Sequence, residues 1–498
     1  MTALGSIVSY GAYVPRLRLP RERIAAAMQW LKSTSAARAA GSRAICNWDE
    51  DSLTLAVEAA RACLLNAGAD ADSPPPLCSV SLASTTLPFA DRSNATLLAA
   101  ALDLPVTVET ADFSGSLRAG TTALAQAVKR TDSGLRLPVA ADARLSKPGS
   151  AQELEYGAGA AALLIAPGVP GGREAGRDER DPRSLGDILS VSHLAADFVD
   201  HYRLSGESFD YALEERWVRD EAVNKLVPAV ITKALEAADL SSSSIDHFVM
   251  AGSATAIKRI AEHSGLHRAR IQDALRDDCG DTGAAHPLLL LAAAIETAAP
   301  GQHILAIGFG QGVDALVVRI PTPKPAVRHR TVVDALARRK AEQYYTRYLS
   351  HSGLLEADFG MRAERDNRSA HSVAWRKHRQ LTAFVGGRCR SCNTVQYPKS
   401  PACVNPQCRR IDTQTDYRLA DVLGRVKSFT EDWQAFSPRP PSIYGNVEFE
   451  PGGNLLMELT DLDAGEVAVG MPVNFVFRVK DIDPMRAFKR YFWKATQV

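Results

Sequence analysis

The stretch from Glu109 to Leu124, ETADFSGSLRAGTTAL, decides how the rest of the sequence is interpreted. A polar loop of small residues runs directly into a predicted helix at about Ala119–Lys129, whose first part, AGTTAL, consists of Ala, Gly, Thr and Leu. Such a helix has no polar face to offer to water, so we expect it to be packed on all sides. The positive end of its dipole, at its N-terminus, would then point into a site.

The same pattern occurs a second time. The loop DDCGDTGAAHP at 277–287 opens an apolar helix at Leu288–Ala298. In both places the order is loop, small-residue helix, strand, Gly-rich turn, strand, which indicates an internal duplication. Apolar strands that alternate with buried helices predict a layered α/β architecture with both sheet faces covered. We expect a pseudo-twofold site between the halves, and an edge strand at Ser6–Val14, which alternates weakly and ends in Pro15.

Composition excludes several classes of protein. The chain has 498 residues, a net charge of +1, 46% hydrophobic residues and 23% charged residues, as in ordinary soluble proteins. Near-neutral charge does not favour a nucleic-acid partner. No apolar run approaches the ~20 residues of a membrane span, so no membrane partner is expected. The N-terminus, MTALGSIVSYGAYVP, lacks the pattern of a signal peptide, which predicts a cytoplasmic protein.

Changes in composition divide the chain into five segments. We predict two α/β halves at 1–170 and 185–320, separated by the Gly-, Pro- and charge-rich loop Gly168–Ser184. A linker with helices follows at 321–380, beginning with PTPKPAV and including one amphipathic helix at Val332–Leu354. A metal ribbon at 381–411 and a small antiparallel β-barrel at 412–498 complete the chain.

Four clustered cysteines predict a zinc site. Cys389-x-x-Cys392 and Cys403-x4-Cys408 have the paired spacing of a tetrahedral centre. Four thiolates leave no open coordination position, so the predicted role of the Zn²⁺ is structural. The alternative is a group of four unligated buried cysteines.

These patterns together resemble a known family. The DED-led helix at 49–51, the AGTTAL helix, YGAGAAALLI, DHYR at 200–203, GDTGAAHP and the FGQG turn resemble the thiolase superfamily, on its 3-hydroxy-3-methylglutaryl-CoA synthase and ketoacyl synthase III side. The C-terminal part resembles the zinc-ribbon/OB-fold domain that accompanies thiolase-like acyl-CoA enzymes. The resemblance implies a duplicated five-layer thiolase-like α/β fold, coenzyme A as part of the substrate, and a homodimer through a strand near the nucleophile helix.

The family's catalytic positions are changed in this chain. Its nucleophilic Cys precedes the pattern x-[Ala/Gly]-Gly-Thr, which places Leu117 at that position and Ser116 one residue earlier. The synthases' His is absent from the segment 250–253. Asp281 stands where ketoacyl synthases III have Asn, and the general-acid Glu falls near Thr86. Ser116 is a candidate nucleophile, although a serine without a neighbouring base stays protonated.

Other residues are candidates for proton transfer. His286 and Asp281 lie on one loop and can exchange a proton with substrate, or they serve as a structural His and a helix-capping Asp. Tyr202, in the DHYR segment, is a candidate acid or base, with an amphipathic wall residue as the alternative. Cys279 lies near a helix start, which lowers a thiol pKa, or is a small packing residue.

A further set of residues concerns coenzyme A. Gly310 and Gly312 can present amide groups to a thioester oxygen, or provide turn geometry alone. Arg118, with Arg144 and Lys147, can meet CoA phosphates, or these are ordinary surface charges.

The leading hypothesis is an acyl-CoA enzyme that makes or breaks a C–C bond next to a thioester. Without the Cys, an aldol or retro-aldol reaction fits best, because it needs proton transfers and an oxyanion hole but no acyl-enzyme. One alternative is a hydroxymethylglutaryl-CoA synthase-like acyltransferase with Ser116 or Cys279 as nucleophile. Another is a non-catalytic acyl-CoA-binding or scaffold subunit for a thiolase-type partner.

Overall fold

The computed structural model describes residues 3–31, 36–68, 75–168, 181–212, 214–325, 330–363, 368 and 370–498. Residues 169–180 of the predicted loop and residues 326–329, 364–367 and 369 of the predicted linker segment lie outside this description. The strands are β1 (Gly5–Tyr13), β2 (Leu17–Pro20), β3 (Ser42–Ala44), β4 (Leu77–Ala83), β5 (Glu109–Phe113), β6 (Leu135–Ala143), β7 (Ala158–Pro167), β8 (Gly186–Ala195), β9 (His201–Tyr202), β10 (Tyr211–Ala212), β11 (His247–Met250), β12 (Arg270–Ile271), β13 (His303–Phe309), β14 (Gly312–Arg319), β15 (Lys340–Ala341), β16 (Val385–Cys389), β17 (Val395–Gln396), β18 (Gln414–Arg418), β19 (Gly424–Asp432), β20 (Ser442–Phe449), β21 (Asn454–Glu458), β22 (Pro472–Asp483) and β23 (Phe488–Gln497).

The helices complete the element list. They are α1 (Arg21–Met28), α2 (Ala36–Ala39), α3 (Ser52–Asn66), α4 (Asn94–Ala101), α5 (Ala119–Lys129), α6 (Glu215–Trp217), α7 (Val227–Ala237), α8 (Ala254–His263), α9 (His286–Thr297), α10 (Val332–Ala337), α11 (Tyr345–His351), α12 (His371–Arg376) and α13 (His378–Leu381). A π-helical segment, Val218–Leu226, connects α6 to α7. Among the described residues, no helix combines the length and apolarity that a membrane span requires.

A ten-stranded sheet shows the duplication directly. Its order is β12-β11-β13-β14-β8-β1-β7-β6-β4-β5. From the antiparallel β1–β8 pair at the centre, the two halves run outward in equivalent order, with parallel β4–β6 matching parallel β11–β13. The edge-strand prediction for Ser6–Val14 was wrong, because β1 lies at the centre of the sheet and all of its residues are buried.

Five layers result from the packing of helices on this sheet. The helices α3 and α4 pack on the outer face of the first half, and α7 and α8 pack on that of the second half. The pair α5 and α9 fills the middle layer between both halves. A Cβ at Gly120 of α5 would lie 2.2 Å from the Ala284 carbonyl oxygen, so small residues are required where these elements meet.

The segment after the second half differs from its prediction. The single helix expected at Val332–Leu354 was wrong, because α10 and α11 are separated by β15, which pairs in parallel with β2. Tyr345 and Tyr348 of α11 are buried in a small cluster with β2 and α1, so tertiary packing outweighs the helical pattern here.

The C-terminal part consists of two all-β units. Strands β16, β17 and β18 form a small sheet that carries the cysteines, and β19 to β23 form a five-stranded sheet in the order β21-β20-β19-β22-β23. A bridge between Leu459 and Ala495 joins its two ends, as expected of the predicted barrel. Phe384, Phe475 and Trp493 form an aromatic cluster in its interior. Strand β22 packs on α3, which therefore lies between the large sheet and the barrel.

Candidate active site

A cavity of about 580 Å³ lies where α3 and α5 begin. It is a mixed polar and apolar space bounded by both halves of the core and by the C-terminal region. Its wall consists of residues from the segments 46–52, 85–88, 115–117, 143–145, 201–210, 310–311 and 351–352, together with Lys489 of β23.

Leu117, which the sequence pattern assigns to the nucleophile position of the resembled family, lies on this wall. The neighbouring Ser116 also faces the cavity, and its hydroxyl donates to the Gly310 carbonyl oxygen at 2.6 Å. A carbonyl cannot act as a base, so nothing in this contact activates the hydroxyl for attack.

At the start of α5, the backbone amides of Leu117 and Gly310 lie close together, and they differ in their hydrogen bonds. Within the described part of the chain its N–H makes no hydrogen bond, whereas the Gly310 N–H donates to the Gly312 carbonyl oxygen at 3.1 Å. A Cβ at Gly310 would lie 3.0 Å from the Leu117 nitrogen, so the missing side chain keeps this nitrogen accessible. Gly312 itself does not line the cavity. Of the backbone amides at this point, that of Leu117 has no hydrogen-bond acceptor within the described residues, and that of Gly310 has one.

The two arginines predicted to meet CoA phosphates have different surroundings. Arg118 is absent from the cavity wall, and its guanidinium binds Asp314 at 3.0 Å and the Gly310 carbonyl at 3.1 Å. This contact is an ion pair with a buried carboxylate. Arg144 does line the cavity, but it donates to Asp210 and to the Tyr156 hydroxyl, both at 2.7 Å.

His286 and Asp281 both lie away from the cavity wall. Nδ1 of His286 accepts from the Thr282 backbone N–H at 3.2 Å, and Nε2 donates to the Ala274 carbonyl at 3.0 Å. Asp281 accepts from the Gly283 N–H at 2.8 Å. Because both His286 nitrogens have partners and the side chain is buried, this placement corresponds to the structural alternative for each residue.

Cys279 and Tyr202 complete the predicted set. Cys279 is fully buried away from the cavity, and burial raises the pKa of its thiol to about 12, which does not suit a nucleophile. Tyr202 lies on the cavity wall with 46% of its surface exposed, and its ring centre is 5.7 Å from that of Tyr211.

Three titratable wall residues were missed by the sequence analysis. Burial raises the pKa of the Cys46 thiol well above its ordinary value, and Glu50 and Asp51 raise it further. Burial also raises the pKa of the Glu50 carboxyl to about 7. Burial and the charge of Arg439 lower the pKa of His351 to about 4. The signal for Glu50 in the sequence is the acidic run at 49–51, which indicates a helix start and a family resemblance but does not distinguish Glu50 from its neighbours.

The four clustered cysteines converge as a metal site requires. Their Sγ atoms all lie within 4.8 Å of one another, with Cys389–Cys408 at 3.9 Å and Cys392–Cys403 at 3.6 Å. Tetrahedral zinc with Zn–S bonds of about 2.3 Å places its sulfur atoms about 3.8 Å apart. The residues present therefore fit a zinc ion with four thiolate ligands.

Comparisons with known proteins agree with this architecture. Residues 235–320 match the family model "3-Oxoacyl-[acyl-carrier-protein (ACP)] synthase III C terminal". Residues 378–412 match "ChsH2, rubredoxin-like zinc ribbon domain", and residues 418–478 match "ChsH2, C-terminal OB-fold domain". A hydroxymethylglutaryl-CoA synthase of Methanosarcina mazei is 28% identical over 358 residues, which are 70% of this chain and 97% of that protein.

Solved structures establish the fold of the core. The 3-oxoacyl-(acyl carrier protein) synthase III of Pseudomonas aeruginosa superposes with a TM-score of 0.53 at 22% identity, covering 64% of this chain and 98% of its own. MvaS in complex with 3-hydroxy-3-methylglutaryl coenzyme A gives a TM-score of 0.56 at 16% identity, covering 73% and 96%. The chain has a thiolase-like core. The predicted resemblance and fold class are confirmed, and the cavity described above belongs to a thiolase-like core joined to a zinc ribbon and an OB-fold domain.

Proposed function

We propose that this chain is an acyl-CoA enzyme that makes or breaks a C–C bond next to the CoA thioester by aldol or retro-aldol chemistry. One observation carries the proposal: the cavity wall contains Leu117, the residue that the sequence pattern assigns to the position of the family's nucleophile. The thiol of Cys46, also on the wall, has a raised pKa and stays protonated, so it is a weak nucleophile. The similarity to synthases, one of them solved with a coenzyme A thioester, supports this substrate class.

The chemistry needs only what the cavity contains. In the retro-aldol direction a 3-hydroxyacyl-CoA loses its hydroxyl proton, the Cα–Cβ bond breaks, and its electron pair remains on Cα as the thioester enolate. The Leu117 N–H is placed to donate to the enolate oxygen. A proton then returns to Cα, giving an acyl-CoA and a carbonyl compound, with the C–S bond intact throughout.

The acyltransferase alternative has less support. It requires an acyl-enzyme, and the hydroxyl of Ser116 donates to a carbonyl oxygen at 2.6 Å instead of to a base. Cys279 is buried away from the cavity.

The same proposal includes one zinc ion and a dimer. The four-cysteine cluster would hold Zn²⁺ as a structural ion.

Strand β5 ends the ten-stranded sheet and is largely exposed, so it offers unpaired backbone groups to a second copy of the chain. Sedimentation of the wild type and of Ala111→Pro, which removes one N–H from β5, tests this interface: the variant is expected to be monomeric.

The test of the reaction type follows the fate of the thioester. The protein is incubated with short 3-hydroxyacyl-CoA substrates, while the carbonyl product and the free CoA thiol are measured in parallel. We expect the carbonyl product to form without release of thiol, and acyl-CoA to exchange its α-hydrogens in deuterium oxide. Release of thiol in step with turnover would identify an acyltransferase, and heat-denatured protein provides the background rate.

A further inference from the structure

One carboxyl group on the cavity wall has no assigned role in the proposed chemistry. Glu50 lies in the segment that leads into α3, and its side chain is 1% exposed. It belongs to the cavity wall, and its side chain is almost completely shielded from bulk water. A carboxyl group that is shielded from water on a cavity wall can exchange a proton with a bound substrate.

The contacts of Glu50 hold its carboxyl in one orientation. The Tyr13 hydroxyl donates to Oε1 at 2.7 Å, and the Asn47 backbone N–H donates to Oε2 at 2.9 Å. The Arg478 guanidinium lies 3.1 Å from Oε1 and also donates to the Tyr13 hydroxyl at 2.8 Å. These contacts come from the segment before α3, from β1 and from β22 of the OB-fold domain.

Arg478 is shared among several carboxyl groups. It is fully buried and lies 3.1 Å from Asp461, 3.1 Å from Glu50 and 3.8 Å from Asp49. Lys494 contacts Asp49 as well, at 2.9 Å, so two cations face these three carboxyl groups, and the remaining negative charge favours a proton on one of them. The charged and titratable groups around Glu50 are Tyr13 of β1; Cys46, Asp49 and Asp51 of its own segment; Asp461 after β21; Arg478 of β22; and Lys489 and Lys494 of β23.

The pKa of Glu50 agrees with this arrangement. Burial raises it most, Arg478 lowers it, and Asp461 and Asp49 raise it, so that it reaches about 7. A carboxyl with this pKa is present in both protonation states near neutral pH, as acid–base catalysis requires.

We propose that Glu50 takes up and returns the proton in the C–C bond step, and that Arg478 and Asp461 of the OB-fold domain are positioning residues that set its protonation. The inference rests on the proposed function. In the retro-aldol direction, the Glu50 carboxylate takes the hydroxyl proton of a 3-hydroxyacyl-CoA, and the O–H electron pair forms the carbonyl bond. The Cα–Cβ bond breaks to the enolate, and protonated Glu50 delivers a proton to Cα.

The rate of the C–C bond step is expected to fall at low pH. Both directions begin with ionised Glu50, which takes either the hydroxyl proton or the α-proton, so the rate falls as the pH drops through about 7. This fall in rate is the acid limb of the pH profile, and His351 cannot cause it, because the pKa of His351 is about 4. Replacing Asp461 by Asn removes a charge that raises the Glu50 pKa, so the acid limb moves to lower pH.

The test measures exchange of acyl-CoA α-hydrogens in deuterium oxide by mass spectrometry, on the full zinc-loaded chain across the neutral pH range. We expect Glu50→Gln to slow exchange by about 100-fold or more, and Glu50→Asp to recover part of it. Asp461→Asn is expected to move the acid limb down by about one pH unit. Glu448→Gln, an exposed carboxyl of β20, is the matched control and leaves both rate and limb unchanged.

The outcomes separate the two proposals. A wild type that neither exchanges nor cleaves overturns the proposed function and, with it, the inference. A wild type that exchanges, together with a Glu50→Gln variant that keeps its rate and limb, overturns the inference alone. Loss of the limb in His201→Gln would assign the titration to that wall residue instead. If circular dichroism shows that Glu50→Gln is unfolded, the shift in Asp461→Asn decides.

Discussion

Replacing Lys494 by Met tests whether buried charges hold the OB-fold domain against α3. Lys494 Nζ lies 2.9 Å from Asp49 and 3.0 Å from Glu458, and 4.0 Å from the Trp48 ring centre. Its side chain is 2% exposed, and methionine retains most of its volume. Because the substitution leaves two carboxyl groups without this cation, we expect the free energy of unfolding to fall by about 3–5 kcal/mol.

Two assays report this loss. Urea denaturation gives the change in free energy, and hydrogen exchange of β22 reports the interface itself, since the Val479 amide donates to the Asp49 carbonyl at 2.9 Å. The control is Lys427→Met, whose exposed partner Glu448 lies at 3.3 Å, with an expected cost below about 1 kcal/mol. Equal effects of the two substitutions would refute the role of the buried cluster.

The free energy of unfolding that Lys494→Met removes is expected to depend on pH. Lys494 and Lys480 lower the Glu458 pKa from its ordinary 4.5 to about 2 although burial raises it. A lowered pKa contributes stability above the ordinary value, and this stability disappears as the pH falls toward the folded value. The difference between wild type and Lys494→Met is therefore expected to be largest above about pH 4.5 and to shrink toward pH 2.

Three further changes test other parts of the account. Cys408→Ser is expected to abolish stoichiometric zinc in elemental analysis and to lower the melting temperature, because zinc loses one of four thiolates; retained zinc would contradict the site. Gly120→Ala is expected to cost about 1–3 kcal/mol in urea denaturation, because its Cβ meets the Ala284 carbonyl at 2.2 Å; an unchanged midpoint would contradict the close packing of the middle layer. Ser116→Ala is expected to keep the aldol-type rate within a few-fold, because its hydroxyl donates to the Gly310 carbonyl and accepts from the Arg118 N–H, and neither group is a base; loss of all turnover would restore Ser116 as a nucleophile.

Local sequence patterns were sufficient where a feature depends on neighbours in the chain. The helix α5 has the predicted bounds, and its small residues are buried as expected, although Gln126 and Lys129 near its C-terminus are exposed. The paired cysteine spacings identified a cluster that the structure brings within 4.8 Å. The repeated loop–helix–strand order predicted the two equivalent halves of the sheet.

Features decided by long-range contacts were not predictable in this way. The weak alternation of β1 indicated an edge strand, whereas pairing with both β7 and β8 places it at the centre. His286 lies on a loop with the expected sequence, but its orientation follows from the Thr282 amide and the Ala274 carbonyl. Glu50 became a candidate only when the fold placed Arg478, far away in the chain, beside it.

Intact-protein mass spectrometry during turnover tests the central claim most directly. The wild-type protein is mixed with an acyl-CoA substrate and quenched at times that span one turnover, while product is measured in the same samples. Because Leu117 occupies the nucleophile position, the account predicts product formation with an unchanged protein mass throughout. A transient increase by the mass of the acyl group, mapped to Ser116 or Cys46, would contradict it.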